Sequence, residues 1–251
     1  MKAIKGLLID VDGVLIENEH ALKGAVDRLN AIRNNYSIRL LTNTTTKQKV
    51  EIYQMLTRLG FIIQQDEIIT APLAAQILLK DKGCSRIYPV VNQNILSEFE
   101  SFEIDKNKPE AVVIGDIGTT WSYELLNRIF KYLMNGAELI ALHKGKFWKS
   151  EGTLQLDIGM FIDGLEYATG KMATVIGKPS KSFFNAALTS IGLPKEAVLM
   201  IGDDIDGDIY GAQNVGIKAY LVKTGKYNVQ FVSQSSVRPD KTINSFAELK
   251  W

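Results

Sequence analysis

A single cysteine, Cys84, in a chain of 251 residues leaves no internal disulfide to be made. With no metal-type partner near it in sequence, it reads as a small apolar side chain and fits a reducing, cytoplasmic setting. Long apolar runs are missing too, since nothing approaches the roughly 20 residues of a membrane span. The start, MKAIKGLLIDVDG, is basic and then apolar, but Asp10 and Asp12 interrupt it before a signal-peptide core of the usual length could form. Neither sign of charge is in excess: 29 Lys and Arg face 28 Asp and Glu, a net charge of +1. Bulk electrostatics therefore give no reason to expect nucleic acid or an anionic membrane as partner. The two histidines, His20 and His143, are not spaced as metal ligands. What remains is ordinary globular composition, 46% hydrophobic and 23% charged, in a chain long enough for one large domain or two moderate ones.

Short apolar runs alternate with helix-period segments almost from end to end. LLID precedes Ala25, Val26, Leu29 and Ile32 at helical spacing, and IRLLTN precedes a second such pattern, Val50, Tyr53 and Leu56, stopped by Gly60. The C-terminal third repeats the alternation: a helix from Phe183 to Ile191 closed by Gly192, the strand VLMIGDD, a helix from Ile209 to Val215, and the strand KAYLVKT. Continuous apolar strands joined by helices predict an α/β fold with a doubly wound, Rossmann-like parallel sheet covered on both faces. The middle alternates as well (SRIYPVV, EAVVIGD, a helix around Tyr123 to Met134, ELIAL). It is bounded by small, turn-forming residues around Thr70 to Pro72 and Gly170 to Gly177. The expected division is a core of residues 1–72 and 173–251 with a smaller α/β domain, 73–172, inserted into it. Asn228 to Asp240 is polar and weakly patterned, which predicts a surface wrap before a short helix at Phe246 to Leu249.

Three of the apolar strands end in polar residues suited to a phosphate and a hard cation. LLID ends in Asp10 and Asp12, IRLL in Thr42 and Asn43, and VLMIG in Asp203 and Asp204, with Asp206 and Asp208 following. In an open parallel sheet the carboxyl ends of the strands line the ligand crevice, where groups distant in sequence can meet. Lys178 joins them from IGKPS. Crowded carboxylates call for a cation such as Mg²⁺, which takes oxygen ligands and binds substrate phosphate. A hydroxyl, an amide and a lysine are ordinary donors to phosphoryl oxygens. A carboxylate whose charge is so neutralised can attack phosphorus, and a second can protonate the leaving oxygen and then activate water.

In order and spacing, DVDGVL, LLTN, GKPS and GDDIDGD resemble the four signature motifs of the haloacid dehalogenase (HAD) superfamily of phosphatases. The chain is similar in particular to the NagD-like branch, subfamily IIA, with an α/β cap between the second and third motifs. HKGKFWK, VIGKPSKSFF, MIGDDIDGD and LVKTGKY are similar to stretches of the phospholysine phosphohistidine inorganic pyrophosphate phosphatase group and its HAD-domain-containing relatives. The resemblance implies Asp10 as nucleophile, Asp12 as general acid and base, and Thr42, Asn43 and Lys178 around the phosphoryl group. It implies Mg²⁺ held by the carboxylates of Asp10 and Asp203 and the backbone carbonyl of Asp12, with Asp204 and Asp208 outside the ligand set. It also implies a small phosphorylated metabolite as substrate and a homodimer formed through the cap. One departure concerns the residue before Asp208, often Thr in the wider superfamily and Gly207 here, which bears on the local turn.

Plainer readings stand beside these. Asp12-Gly13 between apolar runs is by itself a hairpin-turn signal. DDIDGD invites an EF-hand reading, but counting from Asp204 puts Ile209 and Val215 where Gly and Glu are required. His143 lies in HKGKFWK, whose Lys144, Lys146 and Lys149 read as a solvated basic loop. Tyr123, Phe130, Phe183 and Phe184 read as core. The alternatives to a phosphatase are a receiver-like phospho-switch and a substrate-binding protein with little turnover. A receiver lacks an acid two residues beyond its phosphorylated Asp, and no motif residue is missing here.

Overall fold

The computed structural model describes residues 3–150 and 153–250. Its larger sheet has six strands, all parallel, in the order 241–243, 218–222, 198–202, 6–10, 37–42, 68–70. The first strand in sequence, Gly6–Asp10, is central and buried throughout. From it the chain winds outward on one side through Ser37–Thr42 and Ile68–Thr70, and on the other through Val198–Gly202, Lys218–Val222 and Lys241–Ile243. The switch point of a doubly wound sheet, where its ligand crevice opens, therefore lies at Asp10.

A strand buried on both faces cannot alternate apolar with polar residues, and GLLID does not. Leu7 and Ile9 pack in one layer with Leu29, Leu56 and Phe246. Leu8 packs in the other, with Met200, Phe183 and Phe184. Helices Ala25–Ile32 and Lys49–Arg58 cover the first face, and Lys181–Ile191 covers the second, closed by Gly192 in the left-handed conformation at φ +68°.

A second parallel sheet, in the order 174–175, 138–141, 111–114, 86–90, 103–104, carries the insertion. Ala71–Asp81 packs on one face through Ala71, Ala75 and Leu79. Tyr123–Met134 and Gly159–Thr169 pack on the other through Ile129, Leu133, Ile162 and Leu165. A limit at 72/73 therefore cuts into the first of these helices, and one at 172/173 leaves Thr174–Val175, a strand of the second sheet, on the core side. The helix opens at Thr70, whose hydroxyl caps it by accepting from Leu73 N–H (3.4 Å), and Thr174–Val175 pairs with Glu138–Ala141 in the second sheet. The return to the core is at Gly177, where a Cβ would collide with the side chain of Asn43 and the carbonyl of Leu142.

Several local expectations change. Asn228–Asp240 holds a short helix, Val229–Gln234, and Lys241–Ile243 then adds the edge strand of the larger sheet. The helix expected from Ile209 begins at Ile205, as a wide π-type turn capped by Asp204, whose Oδ1 accepts from Asp206 N–H (3.0 Å) and Gly207 N–H (2.9 Å). HKGKFWK is no loose basic loop: Phe147–Ser150 pairs with Thr153–Leu156 in a hairpin, His143 is buried, and Lys144 and Lys146 are in ion pairs. The side chain of Lys149 lies outside the described residues. Of the four aromatics read as core, Phe183 and Phe184 are fully buried and Phe130 is half-buried, but Tyr123, in the first turn of its helix, is 80% exposed. No helix among the described residues is long and apolar enough to cross a membrane.

Truncating a fully buried large side chain typically costs about 2–5 kcal/mol, and an exposed one within about 0.5 kcal/mol. Leu7→Ala should shift the urea midpoint strongly downward, whereas Tyr123→Ala should leave it near wild type.

Candidate active site

The site is built at the carboxyl ends of three adjacent strands. Parallel register sets Asp10 opposite Leu41, so Thr42 lies one residue further out, and Gly202 ends the neighbouring strand just before Asp203. Asp10, Asp203 and Asp208 are buried, and one carboxylate oxygen from each lies within 4.8 Å of the others. Three buried acids at this separation repel one another unless cations sit among them. Lys178 Nζ is one such cation, 2.6 Å from Asp10 Oδ1 and 2.7 Å from Asp208 Oδ1. Burial opposes the lysine's charge, but Asp10 and Asp208 outweigh that and hold its pKa above the usual value.

One ammonium does not neutralise three carboxylates. Burial, with Asp208 adding, raises the pKa of Asp10 well above the carboxylate range, despite Lys178. Asp203 is pushed up to about 7 by burial and then by Asp208. The Oδ2 of Asp203 accepts the N–H of Lys226 at 2.6 Å, while its Oδ1 is buried with no hydrogen-bond partner. A buried carboxylate oxygen without a donor, in a cluster short of positive charge, fits a hard divalent cation. Two glycines make room for the Asp203 carboxylate: at Gly13 (φ +88°) and Gly225 (φ +57°) a Cβ would run into Asp203 Oδ2. The glycine of DVDG thus has a packing role that its turn signal does not reveal.

The other acids are engaged differently. Asp208 Oδ2 accepts the N–H groups of Asp203 (3.1 Å) and Asp204 (3.2 Å), so with Lys178 on Oδ1 this side chain orders the loop and the lysine. Asp204 caps the following turn through Oδ1, and its Oδ2 lies 3.4 Å from Lys226 Nζ. Burial alone would raise its pKa, but Lys226 and the two N–H donors lower it. Gly207 is one of those donors, and a Cβ there would press on the Asp204 carboxylate, which accounts for the small residue before Asp208.

Asp12 is exposed at the mouth of the site. Its Oδ2 accepts from Thr44 Oγ1 at 2.8 Å and Thr42 Oγ1 at 3.3 Å. Asn43 binds the backbone of Lys178 from both ends of its amide: Nδ2 donates to the Lys178 carbonyl and Oδ1 accepts the Lys178 N–H, each at 2.9 Å. The structure thus brings together all six residues expected from the sequence, Asp10, Asp12, Thr42, Asn43, Lys178 and Asp203. It gives the side chains of Thr42 and Asn43 a different present occupation, positioning Asp12 and Lys178. Thr44 and Lys226 were not singled out from the sequence; the hydroxyl run TNTTT and the second lysine of KTGK were the only signals.

A cleft of about 800 Å³ opens over Asp10, Asp12, Lys178 and Asp203. The insertion supplies its far wall, with Asp116, His143, Gly145, Phe147, Trp148 and Asp157 among the lining residues. The cleft is large enough for a phosphorylated small molecule.

Comparison with known proteins agrees with this geometry. A haloacid dehalogenase-like hydrolase family model matches residues 7–105, and a HAD-hydrolase-like model matches residues 175–249. The chain is 40% identical over 246 residues to human haloacid dehalogenase-like hydrolase domain-containing protein 2, covering 98% of this chain and 94% of the relative. It is 38% identical over 256 residues to human phospholysine phosphohistidine inorganic pyrophosphate phosphatase, covering 99% and 93%. Its fold is similar to that of the p-nitrophenyl phosphatase from Archaeoglobus fulgidus (TM-score 0.91, 25% identity, 98% of each chain). NagD from E. coli K-12 shares the fold at TM-score 0.88, with 23% identity and 99% of each chain covered.

Between about pH 4 and 7 the folded, metal-free chain holds a proton on Asp203 that the unfolded chain has released. This contribution to stability is present at the low end of that window and is lost as pH rises through about 7. In chelator, Asp203→Asn should therefore gain stability relative to wild type between pH 5 and pH 8, read by urea denaturation. At pH 8, added Mg²⁺ should raise the melting temperature of wild type and not of Asp203→Asn.

Proposed function

The chain belongs to the haloacid dehalogenase-like hydrolases, in their NagD-like branch, and from that premise we propose that it is a Mg²⁺-dependent phosphatase of small phosphorylated molecules acting through an aspartyl-phosphate on Asp10. One observation carries the reading: a buried carboxylate, Asp10, whose Oδ1 is tied to Lys178 and to Val11 N–H (2.8 Å), beside a second acid, Asp12, held at the cleft mouth by two threonine hydroxyls.

In the proposed reaction an oxygen of Asp10 attacks phosphorus, the bond to the leaving group breaks, and Asp12 gives that group its proton. Asp12, now ionised, takes a proton from water as the water attacks the phosphorus of the aspartyl-phosphate. Inorganic phosphate leaves, and Asp10 is regenerated with Asp12 protonated. Lys178 stays charged throughout and stabilises negative charge on the transferring group; Asn43 and Asp208 keep it in place. The carboxylates of Asp10 and Asp203 and the carbonyl of Asp12 would hold Mg²⁺, which supplies Lewis-acid stabilisation of the phosphoryl oxygens when bound. Thr42, Asn43 and Lys178 would surround the phosphoryl group.

Asp12 also speaks for turnover over a phospho-switch. A switch needs a slow second step, whereas an acid ordered by Thr42 and Thr44 at the mouth is placed to activate water. The relatives' printed names extend to phospholysine, phosphohistidine and pyrophosphate, and P–N and P–O–P bonds belong to the same reading here. A homodimer through the cap and a cytoplasmic location complete it; sedimentation and cell fractionation test those two.

With Mg²⁺, the protein should release phosphate from a panel of p-nitrophenyl phosphate, pyrophosphate, phosphoramidate and sugar phosphates. Asp10→Asn should abolish release, and Asp12→Asn should reduce kcat by about 10²- to 10⁴-fold, the usual contribution of general acid–base catalysis. Silence of the wild type across the panel, or full activity of Asp10→Asn, would overturn the reading.

A further inference from the structure

His143 follows the strand Glu138–Ala141 in the wall of the cleft that faces the acids, and the mechanism above does not use it. The residue is 6% exposed, and only one of its ring nitrogens is engaged. Nδ1 accepts the N–H of Gly145 at 3.3 Å. Asp157 Oδ2 lies 3.6 Å from the same nitrogen, too far for a hydrogen bond, and no group among the described residues bonds to Nε2. A ring nitrogen without a protein partner, on a side chain that lines a binding cleft, is free to bond a ligand there.

The surroundings fix which kind. A neutral imidazole carries one proton, and an Nδ1 that accepts a hydrogen bond leaves that proton on Nε2. The ring is held neutral: burial lowers its pKa, Lys226 adds to this, and Asp157 and Asp116 only partly oppose it. The frame is rigid. Asp157 Oδ1 accepts from Ile158 N–H at 2.7 Å, Gly159 N–H donates to the Gly145 carbonyl at 3.0 Å, and a Cβ on Gly145 would collide with Asp157 Oδ2.

We propose that His143 is a specificity-determining residue whose Nε2–H donates a hydrogen bond to an oxygen of the leaving group, so that the site selects phosphorylated molecules carrying a hydroxyl, carbonyl or carboxylate beyond the bond that breaks. This rests on the phosphatase reading: the phosphoryl group sits at Asp10 and Lys178, and the rest of the substrate extends into the cleft that His143 lines. When a bound substrate covers this donor, an analogue that offers it no acceptor is disfavoured, because the donor is then left unpaired.

The test uses matched pairs, glycerol 3-phosphate against n-propyl phosphate and phosphoserine against ethyl phosphate. Wild type should favour the oxygen-bearing member of at least one pair. His143→Ala should lower kcat/KM for that member by about 10-fold or more, the scale of one lost hydrogen bond, and leave the alkyl phosphate within about twofold. His143→Gln, which offers an amide N–H near the position of Nε2, should restore part of the preference. Independently of turnover, ¹⁵N NMR of the imidazole should show the Nε2–H tautomer at pH 7. Equal loss on both members, no loss on either, or the Nδ1–H tautomer would overturn the inference while leaving the phosphatase reading intact. A wild type that releases phosphate from nothing would end both.

Discussion

The contact on which the site depends is the buried ammonium of Lys178 between the carboxylates of Asp10 and Asp208, 2.6 and 2.7 Å away. Asp10 ends a strand and Asp208 lies in the turn Ile205–Tyr210, and both are buried, where an unpaired charge is costly and the paired one is held in a single geometry. Lys178 sets one positive charge between them, and much of the neighbouring structure serves to keep it there. Asn43 grips its backbone from both sides, and Asp208 is fixed in turn by the N–H groups of Asp203 and Asp204. What Lys178 does not neutralise is Asp203, whose unpartnered Oδ1 marks the place for a further positive charge.

This electrostatic arrangement is a consequence of topology. Only where a parallel sheet changes winding direction do adjacent strands direct their ends at a common opening without a crossing connection between them. Asp10 occupies that point, and the strands on its two sides bring Thr42 and Asp203 to it. The insertion leaves after Thr70 and returns at Gly177, close enough to the site that its return passes against Asn43. The same segment that closes the cleft therefore delivers Lys178, which couples the placement of the second domain to the charge balance of the first.

Much of this was legible in the sequence, and the reason is physical. Strands buried on both faces must be continuously apolar, so GLLID and VLMIG announce themselves, and the polar residues that end them stand out. Asp10, Asp12, Thr42, Asn43, Lys178 and Asp203 could be named for that reason. What could not be read was partnership. Nothing in LLTN says that Asn43 binds backbone rather than ligand, and nothing in HKGKFWK separates a buried histidine at a cleft wall from a solvated basic loop. Short elements were lost for want of periodicity: Lys241–Ile243 is three residues long with one buried, and Thr174–Val175 is two. Tyr123 misled because its spacing is helical, although it opens its helix and stands exposed there.

The most direct test of the account is acid-quenched trapping of the covalent intermediate in Asp12→Asn with p-nitrophenyl phosphate, whose leaving group departs without a proton, so that the first step is retained while the attack of water is slowed, followed by peptide mass analysis. The account predicts one added phosphoryl group on the peptide containing Asp10, sensitive to hydroxylamine as an acyl phosphate must be. Turnover by wild type with no label on any aspartate, or a label on a different residue, would contradict it.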